Sequence, residues 1–99
     1  MIRGTTPTLE FSLPFDTDQL AEAYVTLSQR GVVKVDKKLT ECNCSENKLS
    51  VKLTQEETLE LECEYITEIQ IRAKTISGEV IASNIIRECT DRILKDGVI

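Results

Sequence analysis

Hydrophobic and polar residues alternate along much of this chain, and the clearest alternation runs from Tyr65 to Ala73. Every second residue from Tyr65 onward lies on one side, and charged or amide residues occupy the other. A period of two is typical of a strand with one buried face and one solvent face. The turn pair Ser77-Gly78 and the short run 79–83 follow, so the pattern predicts a β-hairpin.

The same alternation predicts a strand near the start of the chain, over residues 8–15, with its aromatic and leucine side chains on one face. Pro7 and Pro14 bracket this run. Because proline cannot donate to a β-ladder, we expect an edge strand or a strand that stops at Pro14. Asp16, with Gln19 three residues later, predicts one helical turn directly after it.

A further hairpin is predicted from residue 23 to residue 37. Alternation over 23–27 predicts its first strand, and Gln29-Arg30-Gly31 predicts the turn. On the return strand, residues 32–37, we expect Val33 and Val35 to point inward.

The middle of the chain begins with a polar stretch, residues 39–48, which is followed by a predicted short strand at 49–53. Thr54 and Glu57 fit a capping box, which predicts a brief helix over residues 55–60. Leu59, Leu61 and Cys63 also continue the alternation of the next strand, so a single much longer strand is the competing interpretation. Strands of that length are unusual, and we therefore place the break near Glu62.

The segment from residue 84 to residue 95 fits two structures. Its apolar residues have the spacing of an amphipathic helix, and Gly97 suits the position after a helix end. The segment also follows a hairpin strand after only a short break, which favours a strand.

About seven short strands separated by turn signals predict a mainly all-β fold. We expect a small antiparallel immunoglobulin-like β-sandwich with one or two short helical turns, forming a single domain over residues 1–99. The chain has no tryptophan, so the Cys…Trp…Cys pattern of true immunoglobulin domains is absent.

The net charge of −5 is unevenly distributed. Six glutamates and no lysine or arginine lie between Thr54 and Ile71, whereas the rest of the chain is close to neutral. This acidity disfavours binding to a nucleic-acid backbone, and we expect neither a nucleic-acid nor a membrane partner. The patch is interpreted either as a solvated face or as a docking surface for a basic partner, with these candidate interaction residues: Glu57, Glu60, Glu62 and Glu64.

The chain offers few groups for catalysis. It has no histidine, which removes Ser-His-Asp and Cys-His mechanisms and histidine metal ligands. The four cysteines (Cys42, Cys44, Cys63 and Cys89) have poor spacing for zinc. We favour free thiols over zinc or disulfides, with Cys63 and Cys89 on the apolar side of their runs. We expect no catalytic residue, metal or cofactor, and hence not an enzyme.

Several stretches together resemble a known group of proteins. They are Gly4–Thr8 leading into Phe11–Asp16, Leu49–Thr58, Ile69–Arg72, Ala82–Ile86 and Ile93–Ile99. The set resembles small prophage-encoded proteins of Gram-positive bacteria and is similar to the β-sandwich modules of phage tail and baseplate proteins. The resemblance implies a virion structural or assembly protein and favours a strand at the C-terminus. It carries no catalytic residues.

Two functions follow as expectations. The first is a non-enzymatic tail or baseplate component that contacts other virion proteins or itself as a homo-oligomer. The second is a small acidic regulator or inhibitor that docks a basic partner through its glutamates. No signal-peptide or membrane-span pattern is visible, so we expect a bacterial cytoplasmic protein that can be incorporated in a virion.

Overall fold

The chain forms eight strands and one short helix in a computed structural model that describes all residues from Met1 to Ile99. The strands are β1 (Thr8–Ser12), β2 (Leu20–Gln29), β3 (Val32–Lys38), β4 (Asn43–Ser45), β5 (Lys48–Lys52), β6 (Thr67–Thr75), β7 (Val80–Ala82) and β8 (Ile86–Glu88). The helix α1 is Gln55–Leu59, and two 3-10 turns cover Thr17–Gln19 and Leu39–Glu41.

The strands make two antiparallel sheets. The smaller sheet has the order β1-β5-β4, and the larger has the order β3-β2-β6-β7, with β8 also paired to β6. Fourteen buried hydrophobic residues from both sheets and their connections form one core cluster. The prediction of a mainly antiparallel all-β sandwich is confirmed.

The central hairpin forms as its alternation predicts. β6 pairs with β7, and the inward residues Ile69, Ile71 and Ala73 are all buried. β6 begins two residues later than predicted, because the chain between α1 and Thr67 does not join the ladder.

The helical predictions are also confirmed. Asp16 caps the first 3-10 turn, because its side chain accepts a hydrogen bond from the Asp18 amide. Thr54 and Glu57 form the full capping box of α1, with the Thr54 hydroxyl bonded to the Glu57 amide and the Glu57 carboxylate bonded to the Thr54 amide. The break between helix and strand therefore falls where local capping predicts it.

The orientation predicted for Val33 is wrong. Val35 is buried, but Val33 is 58% exposed. A β-bulge explains the difference: Val35 lies opposite Leu27, Val33 lies opposite the next residue, Ser28, and Lys34 is the extra residue between them. The two valines are two positions apart in sequence, with only Lys34 between them, yet the bulge places them on opposite faces.

Two further segments differ in detail from the sequence prediction. The polar stretch contains β4, which pairs with β5, so the strands number eight rather than about seven. Between residues 84 and 95 the chain forms the short strand β8, in agreement with the favoured alternative, and an isolated bridge from Asp91 to Ile2.

Candidate interaction surfaces

Three of the four glutamates predicted to contact a partner lie together on one surface. Glu60, Glu62 and Glu64 line a cavity of 530 Å³ beside the connection between α1 and β6. All three are exposed, and no lysine or arginine nitrogen lies within 4.0 Å of their carboxylates. We call these three residues and the backbone that carries them, residues 60–64, the acidic segment.

The structure separates Glu57 from the acidic segment. Its carboxylate contacts the Lys37 ammonium at 2.8 Å, and Lys37 also reaches Glu41 at 3.3 Å. Lys37 points inward from β3, with only 11% of its side chain exposed. Glu57 therefore joins α1 to β3 and keeps no free carboxylate for a partner.

The environment of this ion pair shifts the pKa of both groups. Burial acts to raise the pKa of Glu57, but the hydrogen bond from Lys37 and those from Thr54 outweigh it and leave that pKa lowered. Burial acts to lower the pKa of Lys37, but Glu57 and Glu41 outweigh it and leave that pKa raised. Each partner thus stabilises the charged form of the other.

A buried amide fixes the backbone of the acidic segment. Gln29, only 2% exposed at the end of β2, donates from Nε2 to the Glu62 carbonyl at 2.9 Å and accepts from the Glu62 amide at 2.8 Å. The amide group thereby imitates two bonds of an antiparallel ladder. Nε2 also lies within hydrogen-bond distance of Thr67 and Thr90, whose buried hydroxyls bond to each other.

Arg3 holds the other end of the same connection. Its guanidinium donates to the carbonyls of Leu59 at 3.0 Å and Leu61 at 3.1 Å, and to the Asp96 carboxylate at 2.8 Å. The hydrogen bond from Arg3 also lowers the pKa of Asp96. Leu61, 1% exposed, anchors the connection to the core. The carboxylates therefore project from a backbone that is fixed at several points.

The sequence contains a signal for the buried polar residues that the prediction did not use. Gln29 continues the inward phase of Val25 and Leu27, although the sequence pattern assigned it to a turn. Lys37 likewise continues the inward phase of Val35 on β3. A polar residue on the apolar phase of a strand indicates a buried hydrogen-bonding or ion-pairing partner elsewhere in the chain.

Cys63 and Cys89 do not lie on a buried face, although the sequence pattern places both on the apolar side of their runs. Both are exposed, because Cys63 lies in the connection before β6 and Cys89 follows the end of β8. Cys44 is also exposed, whereas Cys42 is half-buried against the core and burial raises the pKa of its thiol. All four are free thiols.

The acidic segment is suited to a broad electrostatic contact. Arg3 and Lys34 lie on its rim, and the Arg30 guanidinium packs 4.6 Å from the centre of the Tyr65 ring close by. No three carboxylates or thiols converge closely enough to hold a metal ion. Carboxylates spread over a fixed surface are complementary to a basic protein surface, which they attract and orient.

These observations define the class of the molecule: a small antiparallel β-sandwich that presents a fixed acidic surface. None of its helices is both long and apolar enough to cross a lipid bilayer. Comparisons with protein-family models, with curated proteins and with solved structures found no match.

Proposed function

We propose that this chain is a non-enzymatic structural or assembly protein of a phage or prophage virion, in a tail or baseplate, that acts through protein–protein contacts. The sequence resemblance to prophage-encoded tail and baseplate modules supports this class. It is made in the bacterial cytoplasm and is incorporated in the particle during assembly.

The observation that carries the proposal is the fixed acidic segment. Glu60, Glu62 and Glu64 are exposed and unpaired, and Gln29 and Arg3 hold their backbone. A contact surface that is ordered before binding loses less conformational entropy when a partner arrives. Such preorganisation favours a contact role for these carboxylates over a general solubility role.

Side-chain surfaces are better suited to this contact than the strand edges. The β3 edge carries a bulge and Lys34, and Lys37 points inward from it, which are known devices against edge pairing. β1 is bracketed by Pro7 and Pro14. The remaining edge strands, β4, β7 and β8, have three residues each. Short or guarded edges give a partner strand few main-chain hydrogen bonds.

The test uses particles from an induced lysogen of the source bacterium. We compare the parental strain with one that carries an early stop codon in this gene, using mass spectrometry and electron microscopy of purified particles. We expect mass spectrometry to detect this chain in the parental particles, or electron microscopy to show defective tails in particles of the stop-codon strain. Normal infectious particles from the stop-codon strain, together with absence of the chain from parental particles, would contradict the proposal.

The same acidic segment also supports the second candidate, a small regulator or inhibitor that docks a basic protein. This function predicts a salt-sensitive complex with a basic partner. Neutralising the segment as E60Q/E62Q/E64Q abolishes that complex, and the matched control D18N/E46Q/E79Q, at exposed carboxylates elsewhere, retains it. If both variants bind the basic partner equally well, docking through the acidic segment is excluded.

A further inference from the structure

A group of cations surrounds an exposed tyrosine on the outer face of the larger sheet. Tyr24 on β2 lies directly opposite Lys38 on β3 and Arg72 on β6, so the three side chains share one row across the sheet. Lys74 lies on the same face of β6, two residues beyond Arg72, and opposite Glu22. We call Lys38, Tyr24, Arg72 and Lys74 the basic row.

The basic row is available to a ligand. Tyr24 is 42% exposed, and the three cations are exposed. None of the three lies within 4.0 Å of a carboxylate oxygen, since every ion pair of the chain involves other cations. A shallow cavity of 170 Å³ opens beside Tyr24 and Arg72, with Val80 on its wall and Glu22 as its one acidic residue.

The chain itself carries a surface of matching size and opposite charge. Because neighbouring strands lie about 4.8 Å apart, Lys38 and Arg72 stand about 10 Å from each other on either side of β2. The acidic segment carries its three glutamates on a backbone whose outer Cα atoms, those of Glu60 and Glu64, are at most about 14 Å apart. Each surface therefore offers three charges over a comparable distance.

The two surfaces cannot meet within one molecule. The acidic segment precedes Thr67, where β6 begins, whereas Arg72 and Lys74 of the basic row lie five and seven residues further along β6. At the rise of an antiparallel strand, Arg72 and Lys74 are about 17 Å and about 24 Å from Thr67. The complement of each surface must come from a second molecule.

We infer that the basic row of one copy of this chain receives the acidic segment of a second copy. The contact joins two different surfaces, so it generates either a head-to-tail ring or filament, or an antiparallel pair in which it occurs twice. The inference rests on the proposed function, since it names the partner for the same acidic segment.

A nucleic acid is a poorer occupant of the basic row. Surfaces that bind single strands stack successive bases on several aromatic rings, whereas this row has Tyr24 alone. The net charge of −5 repels a nucleic acid and a second copy alike, and at physiological salt this repulsion is screened beyond about 8 Å. The absence of further aromatic rings is therefore what disfavours a nucleic acid.

The test combines charge reversals on the two surfaces. Three triple variants are made: K38E/R72E/K74E on the row, E60K/E62K/E64K on the segment, and K52E/R92E/K95E as the control. The control residues are exposed cations without an ion pair, and reversing them changes the net charge as much as reversing the row does. Association is measured by sedimentation equilibrium and light scattering over a wide protein concentration range, and circular dichroism verifies that each variant is folded.

We expect wild-type association that depends on concentration and weakens in 1 M salt. Each surface reversal should weaken self-association at least about tenfold, because three attractive pairs become repulsive. An equimolar mixture of the row and segment reversals should associate again, since opposite charges then face each other across the contact. The control should associate within about threefold of the wild type, because surface charges outside the contact contribute little.

Three results would overturn the inference. They are a strictly monomeric wild type, equal weakening by the row and control reversals, and no recovery in the mixture. Binding of a labelled oligothymidine that the row reversal abolishes, without self-association, would assign the row to nucleic acid instead. None of these results affects the particle test, so failure of the inference is distinguishable from failure of the proposed function.

Discussion

Gln29 is the residue at which a single substitution should release the acidic segment from the sandwich. Replacing it by leucine keeps the side-chain size and removes both hydrogen bonds to the Glu62 backbone. Thr67 and Thr90 retain their bond to each other, and the Glu62 carbonyl retains a bond from the Tyr65 amide at 3.3 Å, so the main loss is the unpaired Glu62 amide.

The expected cost follows from those two backbone groups. The Glu62 amide loses its partner, which costs about 1–3 kcal/mol for a buried polar group. The Glu62 carbonyl loses one of its two hydrogen bonds, which costs about 0.5–1.5 kcal/mol. We therefore expect Gln29→Leu to lower the free energy of unfolding by about 2–4 kcal/mol. That is a large share of the 5–15 kcal/mol that is typical of domains.

Two measurements check this prediction. Urea unfolding gives the free energy, and hydrogen exchange gives the protection of the Glu62 amide, which should fall more than that of β6 amides in the ladder. The matched control is Gln70→Leu, because the Gln70 side chain is half-buried and makes one hydrogen bond, to Ser83 at 2.9 Å. We expect the control to cost about 0.5–1.5 kcal/mol.

The reasoning fails if Gln29→Leu destabilises the protein no more than Gln70→Leu. It also fails if the Glu62 amide keeps its wild-type protection in the variant. Either result would mean that Arg3 and Leu61 suffice to hold the acidic segment, and that the amide of Gln29 contributes little to its order.

Three other predictions test the helix cap, the internal ion pair and the thiols. Thr54→Ala removes the capping hydroxyl and should cost about 1 kcal/mol in urea unfolding, whereas Thr40→Ala, at an exposed threonine without a side-chain bond, should be within about 0.5 kcal/mol of wild type. The pKa of Glu57 is lower in the folded state, so its pairing with Lys37 stabilises the protein above the unfolded pKa of about 4.3, and this stability is lost as the pH falls through the folded pKa. In Glu57→Gln the free energy of unfolding should therefore vary less between pH 7 and pH 3 than in the wild type. An unchanged pH dependence would contradict the pairing of Glu57 with Lys37 as its cause. Iodoacetamide at pH 8, followed by mass spectrometry, should modify Cys42 last, because it is the half-buried cysteine and burial raises the pKa of its thiol.

Local signals in the sequence predict much of this fold. Alternation locates the central hairpin, and the capping residues Asp16 and Thr54 locate the helical turns, because each pattern is completed within a few residues. The orientation of Val33 depends instead on how β3 pairs with β2. A bulge is a property of two paired strands, and the alternation of one strand does not contain it.

The two proposed contact surfaces differ in the same way. The acidic segment is visible in the sequence because its glutamates are close neighbours along the chain. The basic row is not visible, because Tyr24, Lys38 and Arg72 come from three strands and meet only through their register. That register is fixed by the apolar residues on the opposite face, since a one-residue slip of β6 would turn Ile69 and Ile71 toward solvent. The buried side of the sheet therefore determines which charged residues are neighbours on its exposed side. A core substitution that shifts the β2–β6 register should separate Tyr24 from Arg72, although it replaces no residue of the basic row.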